Sequence, residues 1–162
     1  MAAMIERQRQ LALMNEAVAE ARRGAAENEV PVGAVIVARG ACGDAEIVAA
    51  AHNRPIALND PTAHAEILAL RRAAAAIGTY RLVDAALFVT IEPCVMCMGA
   101  MLHARIAELY YGARDEKAGA AGSLYDIARD GLLNHRIQVY GALMEAECAN
   151  LLREFFAVRR RT

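Results

Sequence analysis

Two short clusters in this chain hold side chains that ligate metals and move protons: His64-Ala65-Glu66, and Pro93-Cys94-Val95-Met96-Cys97. Cysteines at i and i+3 face one side of a helical turn, and the positive end of a helix lowers thiol pKa and favours thiolate. His64 and Glu66 are two apart and would point in nearly opposite directions inside a helix, so one site can use both only at a helix end. Thr62, with the Ala-rich run 63–76 behind it, reads as the N-cap that puts them there. Pro93 suits the start of the second helix. His64, Cys94 and Cys97 are three ligands of the kind zinc takes, and they leave a fourth tetrahedral position for water, as in catalytic rather than structural sites. Beside such a water, the Glu66 carboxylate can take a proton and return it to a leaving group.

Competing readings attach to the same residues. A lone C-x-x-C can be a redox pair, but no thioredoxin-like βαβ context surrounds this one. A closed structural zinc site would draw its fourth ligand from Cys42, Cys148, His52, His103 or His135. Cys148 lies in an Ala-rich C-terminal helix, where a small buried hydrophobe is the commoner role, and Cys42 reads as a loop residue. His103, at a helix end beside Arg105, reads as a cap on carbonyls, whereas His52 and His135 stay open. Met96, Met98 and Met101 read as core filling, because thioethers are poor zinc ligands.

The elements that must carry these clusters follow from hydrophobic spacing. Ile5, Leu11, Met14, Val18 and Ala21 recur at near-helical intervals, which predicts an amphipathic helix over 4–24 with Gly24 as its stop. Pro31 to Val37 and Glu46 to Ala51 read as a β-hairpin around a Gly40 to Gly43 turn, and 53–61, rich in Asn, Asp and Pro, reads as a loop. Residues 86–91 are a strand, Glu92-Pro93 opens a helix to about His103, and 106–111 and 137–140 are further strands. A last helix runs from about Met144 to Arg159. Strands alternating with helices, plus one early hairpin, predict a three-layer α-β-α sandwich with a mixed sheet of about five strands, in one domain over 1–162.

Composition narrows the function classes. Of the 162 residues 37 are alanine, so the hydrophobic fraction of 57% overstates the large apolar side chains and fits a soluble core. No apolar run approaches the roughly 20 residues of a spanning helix, and the charged start Glu6-Arg7 does not suit a secretory signal, so a cytoplasmic location is expected. A net charge of −1 supplies no global attraction to polyanions, so a nucleic-acid partner needs a local patch. Arg153, Arg159, Arg160 and Arg161 beside Phe155-Phe156 form one candidate; its plainer reading is a solvated helix end. Adjacent aromatics cannot share one helix face, which places at least one of the two phenylalanines in the core.

H-x-E followed by P-C-x-x-C, with Cys94 28 residues after Glu66, resembles the zinc-dependent cytidine deaminase-like superfamily. Within it, Glu29-Val30-Pro31-Val32-Gly33-Ala34, Asn53-Arg54-Pro55, Asp60 to Glu66 and Glu92 to Cys97 resemble bacterial tRNA-specific adenosine deaminases. So do Gly112 to Asp115, Gly119 to Leu124, Asn134-His135-Arg136 and Leu151 to Phe156, so that the likeness covers about residues 5 to 160. The resemblance implies conversion of adenosine to inosine at the wobble position of a tRNA anticodon, by a homodimer with one Zn2+ per subunit. It implies Glu66 as proton shuttle, Asn53 and the Ala65 backbone as holders of the base, and Asp115, Lys117, Asn134 and Phe156 as neighbours of the anticodon loop. Asn53 and Asp115 also have the plainer reading of turn residues. The chain departs from the pattern in a long connection over 38–51, and in His52, where an aromatic is frequent. The rival within the superfamily is a deaminase of a free base or nucleoside, of guanine or cytosine type, against which the arginine-aromatic C-terminus stands.

Overall fold

In the computed structural model, which describes residues 5–40 and 43–161, five strands form one sheet in the order β2-β1-β3-β4-β5. Helix α1 (Arg7–Ala26) leads into the hairpin of β1 (Gly33–Arg39) and β2 (Ala45–His52). A one-turn helix α2 (Pro55–Leu58) and helix α3 (Ala65–Ile77) precede β3 (Ala86–Ile91). Then follow α4 (Val95–Ala104), β4 (Glu108–Ala113), β5 (Gln138–Tyr140) and α5 (Glu145–Arg159). β1 runs antiparallel to both β2 and β3, while β3, β4 and β5 are parallel, so the sheet is mixed as expected.

Period-two alternation sorts the strand side chains into two cores. Ile36, Leu87, Val89 and Leu109 face α3 and α4, packing on Ile67, Leu70, Met98 and Met101. Val35, Val37, Phe88 and Tyr110 face the other way onto Leu13, Met14, Ala17 and Val18 of α1 and Cys148 of α5. Two helices therefore cover each face, which gives three layers. Burying each of these large side chains contributes about 1.5–3 kcal/mol before entropy is counted. Tyr110 stacks between Phe88 and Tyr140, at centroid separations of 4.5 and 4.7 Å, tying β3, β4 and β5 on one face. Small residues set the closeness of the layers: a Cβ at Gly33 would collide with the Ala17 carbonyl oxygen of α1.

Several element boundaries differ from the sequence expectations. Thr62 does not cap α3; its amide and hydroxyl both bond Asp60 Oδ1, at 2.8 and 2.7 Å, in a local turn that competes with capping. His64 holds the N-cap position in extended conformation, with its side chain outside the cap hydrogen bonds. Cys94 likewise is the N-cap of α4, which puts Pro93 one residue before the cap instead of inside the first turn. The 53–61 loop contains α2, whose Ala57 and Ile56 amides donate to the buried Glu29 carboxylate at 2.8 and 3.4 Å. A four-residue helix has too little periodicity to be read from its own sequence. Cys42 lies outside the described residues. Among them, no helix is long and apolar enough to cross a membrane.

Candidate functional site

The N-termini of α3 and α4 meet beyond the carboxyl end of β3, where open α/β sheets place their ligands. His64 comes from the cap of α3, and Cys94 and Cys97 from the cap and first turn of α4. His64 Nδ1 lies 3.7 Å from Cys94 Sγ and 3.5 Å from Cys97 Sγ, and the three donor atoms fall within 4.8 Å of one another. Those separations match the roughly 3.6 Å expected between nitrogen and sulfur donors at ordinary bond lengths on one tetrahedral zinc.

Electrostatics makes the same demand. The Cys94 thiol is held down to about 4, first by its hydrogen bond with Cys97 and then by His64. The Cys97 thiol is pushed far up, by that same bond and by burial. One thiolate forms readily and its charge opposes the second, so a bound dication is what makes both cysteines anionic together. The Cys94 thiolate also draws the His64 pKa upward against its burial. Glu66, 3% exposed in the first turn of α3, is raised to about 7, chiefly by burial. A carboxyl poised there can both accept and donate a proton at neutral pH.

His64, Glu66 and Cys94 line a cavity of about 390 Å³ with Asn53, Asp115, Lys117 and Phe156 on its walls. That volume lies within the range of about 300–1,000 Å³ that holds small ligands. Asn53 is tied in place: its Oδ1 accepts the Ala65 N–H at 2.8 Å, which satisfies the first free amide of α3 and leaves Asn53 Nδ2 as a donor. The N–H of Ala65, whose backbone is expected to hold the base, thus orients Asn53 beside it. Asp115 does have its turn role, accepting the Lys117 and Ala118 amides at 3.0 and 3.1 Å, yet it also lines the cavity.

A second, more open depression of about 480 Å³ shares Lys117 and Phe156 with the first and adds Arg153, Arg159 and Arg160, a basic groove leading away from the cavity. Neither phenylalanine enters the core as expected. Phe156 is 44% exposed, and Phe155 is covered by the Arg159 guanidinium, 3.5 Å from its ring centroid. An α5 face that borders a groove has no partner layer to bury it. Arg159 also donates to the Asn28 carbonyl at 2.9 Å, so it is a structural tie as well as a charge. Asn134 is not brought to the cavity: it accepts from Arg105 at 3.0 Å, at the far end of α4 from Cys94.

The remaining ligand candidates are used elsewhere. His52 sits between Glu20 and Glu27, at 2.9 and 3.2 Å, and His135 contacts the Ile106 carbonyl at 2.7 Å. His103 stands exposed in the last turn of α4, and Cys148 is buried. Among the described residues, His64, Cys94 and Cys97 form the donor group. Sequence reasoning assigned no role to Glu92, 1% exposed beside this group. Burial raises its carboxyl, but hydrogen bonds from Ser123, Asp115 and Ala121 outweigh this and hold it below the usual range. A lone acid at the end of an apolar strand was the available signal.

The sequence profile of the cytidine and deoxycytidylate deaminase zinc-binding region matches residues 7–113. A tRNA-specific adenosine deaminase of Streptococcus pyogenes is 47% identical over 143 residues, 88% of this chain and 87% of that protein. A structure from work on A-to-I editing by tRNA:A34 deaminases at the wobble position of transfer RNA superposes with a TM-score of 0.81. It is 44% identical and covers 87% of this chain and 99% of its own. A guanine deaminase from Nitrosomonas europaea superposes with a TM-score of 0.74 at 31% identity, covering 97% of this chain and 86% of its own.

Proposed function

The chain belongs to the cytidine and deoxycytidylate deaminase zinc-binding family, and from that premise we propose that it deaminates adenosine to inosine at the wobble position of a tRNA anticodon. The observation that carries the choice of substrate is the basic groove, lined by Lys117, Arg153, Arg159 and Arg160, that opens beside the His64-Glu66-Cys94 cavity. A free base or nucleoside needs only the cavity; a nucleotide within an RNA loop needs somewhere to lay its phosphates.

His64, Cys94 and Cys97 would hold one zinc ion per chain, and their separations and charge suit it. Zinc bound there supplies a water of lowered pKa and polarises the reacting centre. Glu66 would carry one proton from the attacking water to the adenine ring and a second from the same oxygen to the amine, which leaves as ammonia. Its burial keeps the proton from bulk solvent and tunes it to both directions of transfer. Asn53, oriented by the Ala65 amide, presents its Nδ2 donor to the base. Phe156 offers a stacking face at the rim, while Asp115 and Lys117 border the nucleotides on either side of the flipped base. Arg153, Arg159 and Arg160 meet the backbone of the anticodon stem-loop, and Asn134 would meet RNA outside the pocket. We place this activity in a single domain over 1–162, working as a homodimer in the cytoplasm.

The deciding experiment incubates the zinc-loaded protein with a tRNA bearing adenosine at the wobble position, and separately with free adenosine, cytidine and guanine. Inosine at the wobble position with no turnover of the small molecules is expected. Ammonia from a free base or nucleoside, with the tRNA untouched, keeps the zinc chemistry but refutes the tRNA reading.

A further inference from the structure

We infer that Glu92 is a positioning residue whose carboxylate fastens the 115–123 loop, and through it Asp115 and Lys117, to the junction of β3 and α4 that carries the cysteines. The kinetic consequence rests on the activity proposed above; the structural consequence does not.

Glu92 directly follows β3, and its backbone amide still pairs with the Ala113 carbonyl at 2.8 Å, so its position is fixed by the sheet. From there the buried carboxylate receives four hydrogen bonds from one loop. Oε1 accepts the Ala121 and Ser123 amides at 3.0 and 2.9 Å; Oε2 accepts the Asp115 amide at 3.1 Å and the Ser123 hydroxyl. The loop lies directly on the carboxylate, for a Cβ at Gly119 would meet Glu92 Cδ at 2.5 Å. A second tie, Ala120 N–H to the Pro93 carbonyl at 2.8 Å, binds the same loop to the residue before Cys94. Asp115 then passes the order on, since its side chain accepts the amide of Lys117. One acid thus connects the end of a core strand to the wall of the cavity that meets substrate.

Charge-assisted hydrogen bonds of this kind are roughly twice as strong as neutral ones, and a buried donor that loses its acceptor is costly. Glu92→Gln separates the four bonds. With its oxygen at the Oε1 position, glutamine keeps the Ala121 and Ser123 amides and can donate to the Ser123 hydroxyl, but its NH2 group opposes the Asp115 N–H. The tie that fails is the one to the substrate-bordering residue.

The test uses the zinc-loaded full chain. In Glu92→Gln, amide hydrogen exchange across 115–123 should rise by about tenfold or more, led by Asp115, with α3 and β1 unchanged. Bound zinc should stay at one per chain. With an anticodon stem-loop substrate, KM should rise by about tenfold while kcat stays within about threefold, the pattern of lost substrate binding. Ser123→Ala, which removes one hydroxyl, should move both readouts in the same direction by less, and it serves if Glu92→Gln does not fold. Unchanged exchange in the loop, a fall in kcat at constant KM, or loss of zinc from Glu92→Gln would each overturn the assignment. A wild-type protein that forms no inosine would refute the proposed substrate instead, and the exchange data would still decide the role of Glu92.

Discussion

Removing two charges from the groove beside the cavity tests whether the substrate is a polyanion. Lys117, Arg153, Arg159 and Arg160 line that groove. Arg159 stacks on Phe155 and holds the Asn28 carbonyl, so its replacement would disturb structure and charge together. Arg153→Ala combined with Arg160→Ala is the cleaner change, because both side chains stand exposed. Each phosphate contact on a single strand contributes about 0.7 to the slope of log affinity against log salt. By that rule four contacts give a slope of about −2.8 and two give about −1.4. Raising salt from about 50 to about 200 mM should therefore weaken stem-loop binding by about 50-fold in the wild type and only about 7-fold in the double variant. Fluorescence anisotropy of a labelled anticodon stem-loop over a salt series measures both slopes. Equal slopes would show that these arginines touch no phosphate, and the argument from the groove to an RNA substrate would fall with them.

Glu66→Ala should retain zinc yet lose at least about 10²-fold in turnover, the lower end for a general acid–base group; full activity would refute its role as proton carrier. Asn53→Ala strands the Ala65 amide and should destabilise the fold by about 1–2 kcal/mol in denaturant titration. Asn53→Asp keeps the acceptor, so it should restore stability while leaving KM impaired; a variant equal to wild type in KM would show that Nδ2 does not touch substrate. Cys148 is 1% exposed with its thiol pushed up to about 12 by burial, so peptide mapping after iodoacetamide treatment should find it unmodified until the protein unfolds.

The local features of this protein were written in short stretches of its sequence. His64, Glu66, Cys94 and Cys97 could be picked out because ligand chemistry restricts residue type and a helix start restricts spacing. The strands and long helices followed from apolar periods of two and 3.6, and the early hairpin was enough to predict a mixed sheet. Tertiary structure decided what depends on contacts between distant segments. Glu29 reaches 28 residues forward to Ala57, Asn53 reaches 12 to Ala65, and Glu92 reaches 31 to Ser123. No periodicity marks such residues, because a buried carboxylate or amide is specified by the backbone groups that fold around it. The same reason separates Arg159, tied to Asn28 across 131 residues, from Arg160 beside it, although the sequence presents them as alike. It also leaves Asn134 at the far end of α4, since motif order along a chain carries no information about distance in space.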